Sequence, residues 1–312
     1  MQMRRLGNSG LLVSEVGLGT NNLASRLDDG QAARVIDAAL DLGVTFIDTA
    51  DIYGRAHGPE PGASESQLGR VLAGRRDRFV LATKFGYPMS DSPDERGASR
   101  SWMTRAVEGS LRRLNTDWID LYQVHVPDPE TPIDETLRAL DDLVSSGKVR
   151  YVGHSNFAAW QIADADWTAR TEHLARPISA QMHYNLLTRE MQAEVIPACR
   201  AHGLGLIPYY PLEYGFLTGK YTRAGEGRGR LSESSRASAL MTPANFDRLE
   251  EMTAFARERG HSLLDLAFGW LLSQPVIGSV IASVASPEQL RANVGAAAWR
   301  LTDAEMAAVA DL

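Results

Sequence analysis

The sequence predicts an α/β fold, a (β/α)8 TIM barrel forming one domain over residues 1–312. Three observations carry that expectation. Short apolar runs of strand character alternate with longer helical periods, as repeated βα units around a parallel sheet require. The runs number eight, each followed by a helical pattern, which suits a closed barrel better than an open sheet. No linker interrupts the 312 residues, a length that one barrel fills.

Taken in order, residues 4–6 and 11–14 form an opening β-hairpin around Gly7-Asn8-Ser9-Gly10. Strands follow at 15–19, 45–48, 79–84, 119–125, 149–153, 178–181, 204–208 and 278–282. Helical periods lie at 29–41, 64–72, 101–114, 133–145, 158–164, 189–202, a long pair within 243–273, and 287–296. Residues 222–238, rich in Gly, Ser and Arg, break the rhythm after the seventh strand; a long loop at that place reads as a mobile lid over the barrel mouth.

Composition narrows the function. Hydrophobic residues make up 44% and charged residues 23%, enough for a large core. Acidic residues outnumber basic ones 39 to 32 without a basic block, which argues against a nucleic-acid partner. A single cysteine, Cys199, permits neither an intrachain disulfide nor a thiolate metal cluster, and fits a reducing compartment. Met1 to Gly7 lacks the apolar core of a signal peptide, and no run approaches the roughly 20 apolar residues of a membrane span. The expectation is a cytoplasmic protein without a membrane partner. The histidines, at 57, 125, 154, 173, 183, 202 and 261, show no H-x-H or H-E-x-x-H spacing, so no metal site and no metal-dependent barrel hydrolase is expected. His154 and the six tryptophans read as packing residues.

In a βα barrel, chemistry sits at the C-terminal ends of strands and in the loops that follow. Asp48 ends the second strand, Tyr53 lies five residues on, Lys84 ends the third strand and His125 the fourth. Singly, these read as a helix cap, a half-buried aromatic, a solvated strand end and a satisfied polar group. Their coincidence at one barrel mouth reads differently. Buried polar groups there need partners. An ammonium beside a phenol lowers the tyrosine pKa from its reference of about 10, making Tyr53 a candidate general acid. Asp48 would hold Lys84 charged, and a neutral His125 would orient a carbonyl oxygen by hydrogen bonding.

Phe46-Ile47-Asp48-Thr49-Ala50-Asp51-Ile52-Tyr53-Gly54, Thr83-Lys84-Phe85-Gly86 and Asp120-Leu121-Tyr122-Gln123-Val124-His125 resemble the signatures of aldo-keto reductases, in the branch that includes bacterial enzymes and potassium-channel β subunits. The likeness runs from the first strand to the final helix. It implies that Asp48, Tyr53, Lys84 and His125 match the family's catalytic tetrad, and that NADPH delivers a hydride to an aldehyde or ketone, reversibly, with Tyr53 as proton donor.

The resemblance also implies a cofactor face. Gly19, Thr20 and Asn21 end the first strand beneath the nicotinamide and ribose, beside Asp48. Gly17-Leu18-Gly19-Thr20-Asn21-Asn22 is not a Rossmann fingerprint, because Asn22 stands where the third glycine is needed. Ser155, Asn156 and Gln181 match the contacts to the nicotinamide carboxamide. Tyr209 matches the aromatic that stacks on the nicotinamide ring, with Tyr210, Pro211 and Leu212 following toward the phosphates. Leu217-Thr218-Gly219-Lys220-Tyr221 and Ser235-Arg236-Ala237-Ser238 resemble the channel-β branch, where the lysine and arginine contact cofactor phosphates. Gln289 and Asn293 match the adenosine-binding helix, next to Ser283. Ala292 departs from the glutamate often found there and, with Ala282 and Ser283, implies weaker cofactor binding.

The resemblance leaves two readings open: a carbonyl reductase acting on a small-molecule carbonyl or alcohol as monomer or homo-oligomer, and a regulatory barrel that holds NADP as a redox sensor. Asn21 and Val126 stand where relatives carry pocket aromatics, which implies a wider or more polar entrance for sugars, polyols or bulky ketones. Tyr87, Tyr214 and Phe216 are the candidates for rebuilding an apolar wall.

Overall fold

The computed structural model describes residues 1–54, 60–224, 227, 229, 231–232 and 234–312. An antiparallel hairpin, β1 (Met3–Arg5) with β2 (Leu12–Ser14), precedes eight parallel strands. These are β3 (Val16–Gly19), β4 (Phe46–Asp48), β5 (Val80–Phe85), β6 (Ile119–Val124), β7 (Val149–Ser155), β8 (Ser179–His183), β9 (Gly205–Tyr209) and β10 (Val280–Ser283). Their spatial order is β10-β3-β4-β5-β6-β7-β8-β9. The ring is joined between Leu206 of β9 and the chain entering β10: Leu206 N donates to Val276 O at 2.8 Å and Gly278 N to Leu206 O at 2.9 Å. The expected barrel, hairpin and eight strands are all present.

Several of the outer helices begin at side-chain caps that satisfy otherwise unpaired N–H groups. Asp28 caps α1 (Asp29–Leu42) in a reciprocal box with Gln31, and Gly43 ends it in the left-handed region. Next come α2 (Ala63–Val71), α3 (Arg100–Leu114) capped by Ser99, and α4 (Ile133–Ser145). The fifth helix, α5 (Ala159–Thr171), runs well beyond the expected 158–164, because Ala165 and Ala169 continue the buried face started by Ile162. The period at 189–202 divides into a 3-10 turn, Glu190–Gln192, and α6 (Val195–His202). Pro197 is tolerated only in the first turn of a helix, so the helix starts late.

The loop after β9 ends in one helical turn, α7 (Ala237–Leu240), where no structure was expected. The long pair resolves into α8 (Pro243–Glu258) and α9 (Leu263–Leu272), broken at Gly260, whose φ is +76°. After α10 (Pro287–Ala296) comes an unanticipated α11 (Asp303–Ala310), started by a Thr302–Glu305 capping box. Among the described residues, no helix is long and apolar enough to cross a membrane.

Two apolar layers position the mouth. The larger lies between strands and helices; the smaller fills the barrel bottom, where Leu6, Leu11 and Val13 of the hairpin segment meet Phe46, Ala82, Leu121, Ile207 and Ile281 from the strands. Side chains two positions on share a strand face. The residues above this plug are therefore Asp48, Lys84, Gln123, Tyr209 and Ser283, a polar layer on an apolar floor.

His154 of β7 faces the other way, into the helix layer. It is buried, stacked on Phe157 at 4.5 Å, and both ring nitrogens lack partners. Burial pushes its pKa down to about 3. A histidine that charges in the unfolded chain near pH 6.5 but stays neutral when folded removes stability as pH falls through 6.5 toward 3. Wild-type stability should drop by ~1 kcal/mol from this group between pH 8 and pH 5.5. His154→Leu should flatten that slope in urea unfolding measured at both pH values, and an unchanged slope would assign the acid sensitivity elsewhere.

Candidate active site

Lys84 projects from β5 into the polar layer and is fully buried. Its three ammonium donors have three acceptors: Asp48 Oδ1 at 2.5 Å, Thr49 O at 2.8 Å and the Tyr53 hydroxyl at 3.5 Å. Burial lowers the Lys84 pKa, while the Asp48 carboxylate opposes the shift. The other carboxylate oxygen, Asp48 Oδ2, accepts from Gln181 Nε2 at 2.9 Å and Gln123 Nε2 at 3.3 Å. Beside Gln123 on the neighbouring strand, Gly153 leaves room for Ser179, whose Oγ would lie 2.2 Å from a Cβ there.

The turn after β4 carries Tyr53 back over the strand ends, with its N–H donating to Ala50 O at 3.2 Å. Its ring centre lies 5.1 Å from Lys84 Nζ and 6.0 Å from the His125 ring, edge to face. His125 follows β6, anchored by its N–H to Phe85 O at 2.8 Å. Burial, and then the Lys84 charge, hold its pKa well below the usual imidazole range, so the ring is neutral. Asp48, Tyr53, Lys84 and His125, drawn from three different strand ends, thus meet at one point.

That point opens into a cavity of about 900 Å3 lined by Asp48, Tyr53 and His125, with Lys84 behind them. Gly19, Thr20 and Asn21 border it from the top of β3, where Thr20 Oγ1 donates to Asp48 O at 3.0 Å. Ser155, Asn156 and Gln181 border it from β7 and β8. Asn156 takes a left-handed conformation, φ +63°; its Nδ2 donates to His125 O and Ser155 Oγ, both at 3.0 Å, and its Oδ1 accepts from the Tyr209 hydroxyl at 2.9 Å. Burial, helped by neighbouring Tyr210, Tyr87 and Tyr53, pushes the Tyr209 phenol up to about 12, so it remains a donor.

The cavity continues past Tyr210, Pro211 and Leu212 to Lys220 and Arg236, and across Ser283 to Gln289, Ala292 and Asn293 on α10. Arg236 lies over the Tyr214 ring at 5.6 Å. Ser286 caps α10, and Gln289 Oε1 accepts from Ala285 N at 2.8 Å. The expected site residues therefore border one space, except Lys84, which stands behind Asp48 and Tyr53.

The expected apolar wall is partly corrected. Tyr87 and Tyr214 line the cavity, whereas Phe216 is buried against Phe246 at 5.2 Å and Tyr221 at 6.5 Å, because the 3-10 segment Glu213–Thr218 turns its ring into the core. Val126 does not reach the lining. Sequence reading passed over Gln123, Asn22 and Arg26. Gln123 had a signal, a polar residue two before His125 in an otherwise apolar strand; Asn22 and Arg26 had none, since a loop's path sets what it faces. The lid expected over 222–238 falls in part outside the described residues, at 225, 226, 228, 230 and 233, and His57 lies outside them too.

Residues 15–312 match a family model described as the aldo/keto reductase family. An uncharacterized oxidoreductase of Bacillus subtilis, YrpG, is 38% identical over 95% of this chain and 91% of its own length. A probable voltage-gated potassium channel subunit beta of rice, Oryza sativa, is 33% identical with the same coverage, and an L-glyceraldehyde 3-phosphate reductase of Escherichia coli is 32% identical over 95% of this chain and 87% of its own. With a match spanning nearly its whole length, the chain belongs to the aldo/keto reductase family of oxidoreductases.

Proposed function

We propose that the chain is a single-domain, cytoplasmic reductase that uses NADPH to convert an aldehyde or ketone to an alcohol, with Tyr53 giving the proton. The observation that carries this reading is the Lys84 ammonium, fixed by Asp48 and Thr49 and facing the Tyr53 phenol beside a neutral His125. The cavity also fits the cofactor: amides and a hydroxyl gather at the barrel mouth, an aromatic face at Tyr209 adjoins them, and two cations, Lys220 and Arg236, stand at the far side. The buried thiol of Cys199, its pKa pushed up to about 12 by burial, suits a reducing compartment.

When bound, the reduced nicotinamide supplies a hydride to the carbonyl carbon. Ser155, Asn156 and Gln181 orient the carboxamide, and Tyr209 packs against the ring. His125, kept neutral, holds the substrate oxygen by a hydrogen bond, and Tyr53 transfers its hydroxyl proton to that oxygen as negative charge develops. Lys84 stabilises the resulting phenolate, which takes a proton back from solvent. Asn21, Asn22 and Arg26, which line the cavity together with Tyr87 and Tyr214, favour a polar or bulky carbonyl such as a hydroxylated aldehyde.

Tyr53→Phe should lower carbonyl reduction by about two to four orders of magnitude. NADPH affinity should stay near wild type. Lys84→Met should lower the rate comparably and displace its pH profile, because the phenol loses its cation. NADPH consumption with a panel of aldehydes and ketones reads both, and wild-type turnover by Tyr53→Phe would remove Tyr53 as the acid.

Arg236 presents a planar fork suited to the 2′-phosphate. A charge-assisted hydrogen bond contributes roughly 1.5–3 kcal/mol, so Arg236→Ala should weaken NADPH about ten- to a hundredfold and leave NADH nearly unchanged. Dissociation constants from tryptophan fluorescence test this; equal losses for both cofactors would take Arg236 out of the phosphate site. The 222–238 segment, read as a lid, should exchange amide hydrogens more slowly once NADPH is added, and identical exchange in both states would contradict closure.

A further inference from the structure

Tyr209 is held from behind by groups that the proposed chemistry leaves unused. The ring of His183, the last residue of β8, lies 5.4 Å from that of Tyr209 and within 16° of parallel. His183 does not line the cavity, whereas Tyr209 does. The imidazole therefore covers the rear face of the phenol ring and leaves the other face to the cavity.

His183 is itself fixed. Its Nε2 sits 2.8 Å from Oε2 of Glu213, a carboxylate that is 1% exposed. The same oxygen accepts from Asn185 Nδ2 at 2.5 Å and Thr188 Oγ1 at 3.1 Å. Asn185 Nδ2 also donates to Tyr210 O at 3.0 Å. These bonds, with burial opposing them, keep the Glu213 carboxyl below its ordinary pKa and hence ionised.

The backbone is bent to bring Glu213 there. Tyr210, Glu213 and Tyr214 have φ values of +52°, +41° and +57°, three non-glycine residues in the left-handed region within five positions. Such conformations persist only where surrounding contacts enforce them, and they gather at functional sites. The Asn185 and His183 contacts to Glu213 supply that enforcement. What they secure is a chain of contacts: Glu213 to His183, His183 stacked on Tyr209, and the Tyr209 hydroxyl to Asn156, which reaches Ser155 and the His125 carbonyl.

We propose that His183 and Glu213 are positioning residues that hold the Tyr209 ring at the angle at which it packs against a bound nicotinamide. The proposal rests on the NADPH reading above, through the place of Tyr209 in it. An unsupported phenol ring could tilt into the space an alanine leaves at 183. A carboxylate on Nε2 sets both the tautomer and the plane of the imidazole, as outer partners do for functional histidines.

His183→Ala, His183→Phe and Glu213→Gln are compared with wild type by NADPH titration, by single-turnover hydride transfer to an aldehyde, and by binding of adenosine 2′,5′-bisphosphate, which has no nicotinamide. His183→Ala should weaken NADPH and slow hydride transfer, each roughly three- to tenfold, as expected for loss of an aromatic stacking partner. Bisphosphate affinity should stay at the wild-type value. His183→Phe, which keeps a stacking ring, should recover most of the loss. Glu213→Gln, which keeps an amide group beside Nε2 but loses the charge that fixes the tautomer, should fall between them. Wild-type NADPH binding and hydride rate in His183→Ala would overturn the positioning role alone, as would equal loss of NADPH and bisphosphate, the mark of a general structural defect. A wild-type protein that binds no NADPH would overturn the underlying reading as well.

Discussion

A lysine ammonium with no exposed surface, inside a barrel whose floor is hydrocarbon, is tolerable only with a carboxylate against it, and the Lys84–Asp48 pair is the constraint on which the barrel mouth depends. Removing either partner of such a pair leaves an uncompensated buried charge, at a cost of about 3–5 kcal/mol. The pair in turn needs Gln123 and Gln181 to occupy the second carboxylate oxygen. A cation costly to bury for stability alone thereby comes to lie against one phenol, Tyr53, and to suppress protonation of one imidazole, His125.

The same side-chain type acquires different properties from where it stands. Tyr53 faces the Lys84 ammonium, whereas Tyr209 is half-buried among other phenols and has its pKa pushed up to about 12, chiefly by that burial. The proposed chemistry asks the first to surrender a proton and the second to keep one. His125 and His154 are both neutral by burial, yet only His125 borders the cavity, while His154 packs on Phe157 in the helix layer. Environment, more than residue identity, divides one phenol from the other and cavity wall from core.

Much of this is legible in the sequence, because strand periodicity is strict. An apolar residue facing the floor at 46, 82 or 121 places 48, 84 or 123 at the mouth, and the chain records that step as Phe to Asp, Ala to Lys and Leu to Gln. The eight strands follow from the same alternation of short apolar runs with helical periods. Loops obey no such rule. Phe216 looked like a pocket wall and is core, and Arg26 reaches the cavity unannounced, since each depends on turn geometry that no periodicity encodes. Helix ends misread for a related reason: Pro197 delays α6 and alanines prolong α5, local effects that outweigh the apolar repeat.

The turn after β9 shows why the unread part matters to function. A strand end can present Tyr209 to the cavity, but it cannot by itself set the angle of the ring, which has freedom about its side-chain bonds. That angle is fixed by contacts from His183 behind, Tyr210 at 5.2 Å and nearly perpendicular, and Asn156 at the hydroxyl. Two of these come from strand ends, and the third comes from a backbone in an unfavourable conformation that Asn185 and Glu213 maintain. The barrel thus supplies position through regular elements and orientation through strained ones. Strain is tolerated here because the buried carboxylate of Glu213 would lose three hydrogen-bond partners if the turn relaxed.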